Sequence, residues 1–314
     1  MITKLSLSWL QDKGAGNDVL GIMPVLDAVR KNKVRLTAEQ FRHWKHKSIT
    51  FLGMSGVGKT YISNILRSSE WFHYSGDYRI GTRYMSEPIL DNIKLQAMQV
   101  PFLQDLLRSD SIYFSNNITV DHLKPLSTFL GKLGDPALGG LTLEDFKRRL
   151  QLHHEAEVAA MMDVPAFIRK SRDLYGFNHF INDAGGSLCE LDNDEVLDTL
   201  SEHTLMIYIQ ASEANAAVLK QRAIDFPKPL YYREAFLDQQ LAEYMLEKEI
   251  EYIALIEPDD FVRWVFPKLF NARIPRYESI AERFAYTIQT AELYQIKSET
   301  EFLTLIETAI DRTP

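Results

Sequence analysis

The chain has 314 residues, of which 46% are hydrophobic and 25% are charged, and its net charge is −8. This composition is typical of a globular protein long enough to bury a sizeable core, and the acidic balance argues against a broad nucleic-acid surface. The single cysteine, Cys189, excludes an intrachain disulfide and suits a reducing compartment.

No apolar stretch approaches the ~18 residues of a membrane span, and the first residues lack the apolar core and cleavage site of a signal peptide. We therefore expect a cytoplasmic protein that binds neither membrane nor nucleic acid. The basic stretch RHWKHK (42–47) is the local exception, and we interpret it as a solvated basic face.

The first 47 residues have the apolar spacing of helices, at 19–32 and again at 37–47. Thr37 and Gln40 have the spacing of a capping box at the start of the second helix. We therefore predict an N-terminal helical extension over 1–47, followed by one domain over 48–314.

Five short apolar runs in the larger domain predict β-strands: SITFLG (48–53), WFHYSGD (71–77), FNHFIND (177–183), TLMIYIQAS (204–212) and AYTIQTAEL (285–293). Helical patterns alternate with them, which favours an α/β three-layer sandwich with a mainly parallel sheet. Residues 86–172 are too many for a simple crossover between two strands, and we interpret them as a helical insertion over one end of the sheet.

The motif FLGMSGVGKT (51–60) matches the P-loop pattern G-x-x-x-x-G-K-[ST] in full, between a predicted strand and a predicted helix. Glycines let backbone amides point inward around a phosphate, and the helix N-terminus adds partial positive charge. We predict that Lys59 reaches the terminal phosphates and that Thr60 contacts Mg²⁺. The predicted nucleotide-binding residues of the loop are Gly53, Ser55, Gly56, Val57, Gly58, Lys59, Thr60 and Tyr61. The pattern therefore predicts a P-loop NTPase fold that binds a nucleoside triphosphate.

Two subclasses are disfavoured by missing residues. The N-K-x-D motif of guanine-specific switches is absent, which favours ATP over GTP without deciding between them. The strand ending in Asp183 lacks an adjacent glutamate that would position water, as mechanical ATPases have. A small-molecule kinase is the remaining large class.

The order of motifs from Ser48 onward resembles the shikimate kinase and gluconate kinase branch of P-loop kinases. The segments that carry the resemblance are the phosphate loop, YSGD (74–77), the FKRR…HHEAE helix (146–157), DAGGS (183–187), KQRAIDFPKPL (220–230) and RIPRYESIA (273–281). The chain departs from that family in having Lys228 where the lid has arginine, and Ser187 in place of a third glycine. The insertion and the N-terminal extension have no counterpart there.

The resemblance implies site residues at the carboxyl ends of the strands, where open α/β sheets bind ligands. Asp77, at the end of the second predicted strand, would orient or deprotonate an acceptor hydroxyl; a turn aspartate is the alternative. Asp183, at the end of the third predicted strand, is expected to bind Mg²⁺ with Thr60, directly or through water, as Walker-B aspartates do; a strand-end turn is the alternative. Gly185 and Gly186 would let a substrate approach the backbone, or would only form a tight turn.

Cations in three segments complete the predicted site. Arg79 and Arg83 suit recognition of an acceptor's carboxylate or phosphate, since guanidinium groups bind oxyanions in a bidentate manner. In the predicted lid (213–232), Arg222 would contact the nucleotide and Lys228 would neutralise charge during transfer. Arg273 resembles the family's acceptor-binding arginine. Surface positions are the alternative for Arg79, Arg83, Arg222 and Lys228.

Two further features have non-catalytic interpretations. The HHEAE segment (153–157) lacks the H-E-x-x-H spacing of zinc enzymes, so we expect a partly exposed helix. Cys189 is expected to be a buried small residue.

Together these observations predict a Mg²⁺- and ATP-dependent kinase that phosphorylates a hydroxyl of a small molecule, with Lys59, Asp77 and Lys228 in catalytic roles. A nucleotide-dependent regulator or ATPase that binds a protein partner through its insertion is the alternative. An enclosed polar pocket around Asp77 would favour the kinase, and an exposed apolar groove would favour the regulator.

Overall fold

The computed structural model describes residues 36–313. The predicted helix at 19–32 lies outside these residues. The second part of the N-terminal extension forms helix α1, Ala38–His43, and its capping box is present, with Thr37 Oγ1 accepting from the Gln40 amide and the Gln40 side chain accepting from the Thr37 amide.

Five strands form one parallel sheet: β1 Ser48–Leu52, β2 Trp71–Ser75, β3 His179–Asp183, β4 Leu205–Gln210 and β5 Ala285–Gln289. Their spatial order is β2-β3-β1-β4-β5. All four pairings are parallel, so every strand ends at the same edge. Phe51 and Ser75 both pair with Asp183, which fixes the register at that edge. The five predicted strands are present, but the fifth ends at Gln289, and Thr290–Leu293 forms a helix instead of continuing the strand. The sheet and its helices form a P-loop NTPase fold.

The helices after α1 are numbered in chain order. They are α2 Lys59–Arg67, α3 Gly76–Arg79, α4 Ser86–Ala97, α5 Pro101–Arg108, α6 Lys124–Leu130, α7 Leu143–Met162, α8 Val164–Asp173, α9 Asp194–His203, α10 Glu213–Asp225, α11 Glu234–Glu247, α12 Pro258–Phe284, α13 Thr290–Leu293 and α14 Glu299–Arg312. A π-helical turn, Ile80–Tyr84, follows α3. No helix within residues 36–313 combines the length and apolarity needed to cross a bilayer.

Helices cover both faces of the sheet. On one face, Phe302 of α14 meets Phe51 edge-on, with ring centroids 5.8 Å apart, and also meets Trp71 at 6.2 Å. On the other face, the Tyr74 hydroxyl donates to the Ala160 carbonyl of α7, and the Tyr74 ring contacts Phe167 of α8. Side chains that leave opposite faces of the sheet therefore pack into two separate helical layers.

A second apolar cluster lies apart from the main core. It joins α6 and α7 to the segment from 231 to 269, through Leu130, Leu133, Phe146, Leu150, Tyr231, Tyr232, Leu237, Leu241, Tyr244, Ile256, Phe261, Val265 and Leu269. In α11 and the first half of α12, the core residues of this cluster are Leu237, Leu241, Tyr244, Phe261, Val265 and Leu269. The helical segments occur within 86–172 and 213–232 as predicted, whereas the division of the chain into domains stays a prediction.

Two further expectations were wrong: that the second strand reaches Asp77, and that the basic stretch 42–47 is a solvated face. The second strand ends at Ser75, and Asp77 lies in the first turn of α3, because Ser75 caps that helix through a hydrogen bond from the Tyr78 amide. The basic stretch 42–47 is only partly solvated. Lys47 is buried, and its ammonium donates to the Trp44 carbonyl at 2.7 Å and lies over the Phe41 ring.

Replacement of Phe302 by alanine tests the packing of α14 on the sheet. Because the ring is fully buried against Phe51 and Trp71, we expect Phe302→Ala to lower the unfolding free energy by roughly 3–5 kcal/mol. Phe102→Ala is the matched control, since Phe102 is 72% exposed, and its effect should stay within about 0.5 kcal/mol. Urea denaturation of both variants measures the difference, and equal losses would contradict this packing.

Candidate nucleotide and acceptor site

The phosphate loop connects the central strand β1 to the N-terminus of α2. Gly53 has φ 134°, and a Cβ atom there would lie 2.7 Å from the Ile209 carbonyl oxygen of β4, so only glycine fits. Gly58, the residue before α2, has φ 102° and provides no side-chain cap. The first turn of α2 also contains no acidic residue, so its amides are left for an external anion. This donor set fits a phosphate group.

Lys59 is buried and held by the loop itself. Its ammonium donates to the carbonyls of Gly53, at 2.7 Å, and Met54, at 3.1 Å. Burial lowers the pKa of Lys59, while Asp183, Asp77 and Glu157 oppose that shift by stabilising its charge. The ammonium therefore lies beneath the loop, close to three carboxyl groups.

Thr60 and Asp183 form a pair of oxygen ligands. The Thr60 hydroxyl donates to Asp183 Oδ2 at 2.8 Å, joining the start of α2 to the end of β3. Hydroxyl and carboxylate oxygens are ligands that Mg²⁺ prefers, so these two predicted residues fit a magnesium ion. Within residues 36–313, no cluster of three or more His, Cys, Asp or Glu side chains could hold a metal ion.

Asp77 lies beside these groups in the first turn of α3 and lines a cavity of about 210 Å³. Three other predicted site residues line the same cavity: Ser55, Gly186 and Arg273. Burial and the neighbouring Asp183 raise the pKa of Asp77 to about 6, and Lys59 opposes the rise. A carboxyl group with a pKa near neutral can accept a proton and release it again.

Glu157 was missed as a site residue by the sequence analysis. It is fully buried on α7, where its Oε2 accepts from the Ser187 hydroxyl at 2.6 Å and its Oε1 has no hydrogen-bond partner. Burial raises the pKa of Glu157 to about 7; the Ser187 hydrogen bond opposes the rise and Asp77 adds to it. A Cβ on Gly185 would lie 2.4 Å from Glu157 Oε1 and 3.3 Å from Asp77 Oδ1, so Gly185 lets both carboxyl groups approach.

The helical prediction for the HHEAE segment is confirmed, but the face that carries Glu157 is buried. His153, Ala156 and Ala160 share this buried face with Glu157. Their spacing of three and four residues was the available signal. Burial, followed by the charges of His154 and Arg273, lowers the pKa of His153 to about 4, so this side chain is neutral at pH 7.

His73 was also missed. It is a β2 residue whose side chain is 3% exposed, and its Nε2 lies 3.6 Å from Asp183 Oδ2. Neither ring nitrogen has a hydrogen-bond partner. Its signal was weak, because a single histidine within a predicted strand does not reveal what lies next to it.

Arg273 is buried on α12 and bonded through all three of its nitrogens. Nε donates to Glu190 Oε1 at 3.1 Å, Nη1 to the Gly186 carbonyl at 3.2 Å, and Nη2 to the Tyr231 carbonyl at 2.8 Å. Arg273 therefore joins the glycine turn to the end of the predicted lid.

The other predicted cations lie outside this cavity. Arg79 forms an ion pair with Asp163 at 2.7 Å and contacts the rings of Tyr84 and Phe167. Arg83, Arg222 and Lys228 are exposed. Tyr61 is turned towards the C-terminal part of the chain, where its hydroxyl donates to the Ile296 carbonyl. The roles predicted for these residues stay predictions.

Cys189 is buried as expected. Burial raises the pKa of its thiol to about 12. The thiol is therefore protonated at pH 7 and a poor nucleophile.

The strand order and the phosphate loop are those of a P-loop NTPase fold. No family model matches the chain, and the comparison with curated proteins found no match. Among solved structures, the chain is similar to a shikimate kinase from Bacteroides thetaiotaomicron, with 15% identity, a TM-score of 0.38, and coverage of 85% of this chain and 95% of that one. At this level the similarity carries no functional argument.

Removal of the Glu157 charge tests the buried carboxyl group. The pKa of Glu157 is about 7 in the folded protein, above its usual value of 4.5. The contribution of Glu157 to stability is therefore complete below about pH 4.5 and is lost as the pH rises through about 7. We expect the unfolding free energy of Glu157→Gln, relative to wild type, to increase by roughly 2–3 kcal/mol between pH 5 and pH 8.

The measurement is urea denaturation at four pH values across that range. Glu155→Gln is the matched control on the same helix, since Glu155 is exposed and hydrogen-bonded to Gln151. The prediction is contradicted if the difference in unfolding free energy between Glu157→Gln and wild type changes as little with pH as the difference for the control. In that case folding does not raise the pKa of Glu157.

Proposed function

We propose that this protein is a Mg²⁺-dependent kinase that transfers the γ-phosphoryl group of ATP to a hydroxyl of a small molecule. One observation carries the proposal: Asp77, with its raised pKa, lines a cavity that also borders Ser55 of the phosphate loop. An acceptor hydroxyl in this cavity would lie between a proton acceptor and the loop that holds the donor.

The phosphate loop and the start of α2 bind the triphosphate in this proposal. Lys59 would exchange its loop carbonyls for phosphate oxygens, and Thr60 and Asp183 would hold Mg²⁺. When bound, Mg²⁺ and ATP supply the charge neutralisation and the phosphoryl group: the bond from the γ-phosphorus to its bridging oxygen breaks as the bond to the acceptor oxygen forms, and ADP leaves.

Asp77 orients the acceptor hydroxyl and takes its proton. Burial beside Lys59 and Asp183 places the pKa of Asp77 close to the operating pH, where a general base works best. Arg273 holds Gly186 and Tyr231 in place around the acceptor. In this proposal the lid cations Arg222 and Lys228 reach the nucleotide only on closure of the lid. The cytoplasmic location also stays a prediction.

A regulator that binds a protein partner is the second candidate. The observation in its favour is a set of exposed apolar side chains on and between α4 and α5, where Leu95 is 59% exposed, Val100 46% and Phe102 72%. The surroundings of Asp77 support the kinase more strongly, because Asp77 lines a cavity next to the phosphate loop and this apolar set lies elsewhere.

Replacement of Lys59 by alanine tests the nucleotide site. Because the ammonium would form charge-assisted hydrogen bonds with phosphate, we expect Lys59→Ala to weaken binding of Mg·ATP at least about tenfold. Isothermal titration measures the affinity, and circular dichroism checks the fold. Lys94→Ala is the control, since Lys94 lies on α4 in an exposed pair with Asp91. Unchanged ATP affinity in folded Lys59→Ala would contradict nucleotide binding at this loop.

Replacement of Asp77 by asparagine separates the two candidates. A base that acts mainly in the transition state should lower kcat for acceptor phosphorylation by roughly 10²–10⁴-fold, with little change in ATP affinity. ADP release is measured with and without acceptors from a panel of hydroxyl-bearing metabolites. If no acceptor stimulates the wild type, and Asp77→Asn hydrolyses ATP at the wild-type rate, the regulator replaces the kinase.

A further inference from the structure

The cavity beside Asp77 is walled largely by apolar side chains. Leu126 of α6 and Phe266 and Phe270 of α12 contribute to the wall, as does Leu230 in the predicted lid. At about 210 Å³ the cavity is smaller than sites for drug-sized ligands. It therefore suits a small molecule with an apolar body, which gains free energy when that surface leaves water.

The cavity has no cation free to pair with an acceptor's negative charge. Arg273 is the only arginine or lysine among the described residues that line it, and each of its nitrogens already donates to a protein oxygen. Arg273 shares the buried carboxylate of Glu190 with Arg233. A carboxylate on the acceptor would therefore have to compete with Glu190 and two backbone carbonyls for Arg273, and its desolvation would be only partly compensated.

The remaining candidates for binding an anion are also unsuitable. Arg79 is paired with Asp163, and Arg83 is exposed away from the cavity lining. His153 lines the cavity but is a buried neutral imidazole. Asp77 is the carboxyl group in the lining, and Lys59 and Asp183 already surround it.

We propose that this cavity takes a small uncharged molecule with an apolar body and a hydroxyl directed at Asp77. As an identification of the acceptor class, this inference rests on the proposed kinase function. It differs from what the family resemblance implies, since there Arg273 would bind an acidic acceptor.

Three probes of matched shape test the inference. They are 3-phenylpropane-1,2-diol, its carboxylate counterpart 3-phenyllactate, and its ammonium counterpart phenylalaninol. We expect the diol to bind at least tenfold more tightly than either charged probe in isothermal titration with the wild-type protein. Equal or tighter binding of a charged probe would overturn the inference, and so would failure of all three to bind.

A variant pair locates the binding. Leu230→Gln places an amide in the apolar wall at a half-buried position, and we expect it to weaken diol binding at least fivefold. Leu138→Gln is the control, since Leu138 is 61% exposed and lies outside the cavity lining. Diol affinity that is unchanged in folded Leu230→Gln would place the probe elsewhere and overturn the inference.

The same preparations separate this inference from the kinase function. Mg·ATP binding and diol-dependent ADP release are measured alongside the probe titrations. Diol selectivity without ADP release would support the ligand class and contradict the kinase. ATP binding together with preference for 3-phenyllactate would contradict only the ligand class.

Discussion

The hydrogen bond from Thr60 to Asp183 depends on the parallel pairing of β1 with β3, and the rest of the site is arranged around it. The register sets Phe51 opposite Asp183, so the loop after β1 and the carboxylate that ends β3 meet at one edge of the sheet. Ser75 of β2 pairs with the same aspartate, which brings the first turn of α3 to that edge. Parallel strands end together, and a ligand site at their carboxyl ends follows from that topology.

This arrangement gathers ionisable groups in a buried region of the protein. Lys59, Asp77 and Glu157 interact through a buried region, and Glu157 retains one oxygen without a partner. Such groups cost folding free energy, because burial penalises whichever form is charged. The aromatic contacts of α14 with β1 and β2 contribute the opposing stabilisation. Clusters of this kind are more frequent at functional sites than in ordinary cores.

The second apolar cluster contributes part of the apolar wall of the cavity. It joins α6 and α7 to α11 and α12, and its edge carries Leu130, Tyr231 and Leu269 into the wall of the cavity. Arg273 lies on the same long helix and is used to hold Gly186 and Tyr231. Arg273, predicted to bind the acceptor, thus donates hydrogen bonds to protein oxygens from all three guanidinium nitrogens, and the cavity beside it is mainly apolar.

The sequence by itself determined the features that depend on neighbouring residues. The phosphate loop, the five strands, the capping box at Thr37 and the burial of Cys189 follow from short-range patterns of glycine, apolar and capping residues. Tertiary structure alone decided that Arg79 is paired with Asp163. It likewise decided the burial of Glu157 against Ser187. These outcomes join residues 30 to 84 positions apart, and the free energy of such contacts is set by how the helices pack on the sheet, which local propensity does not encode.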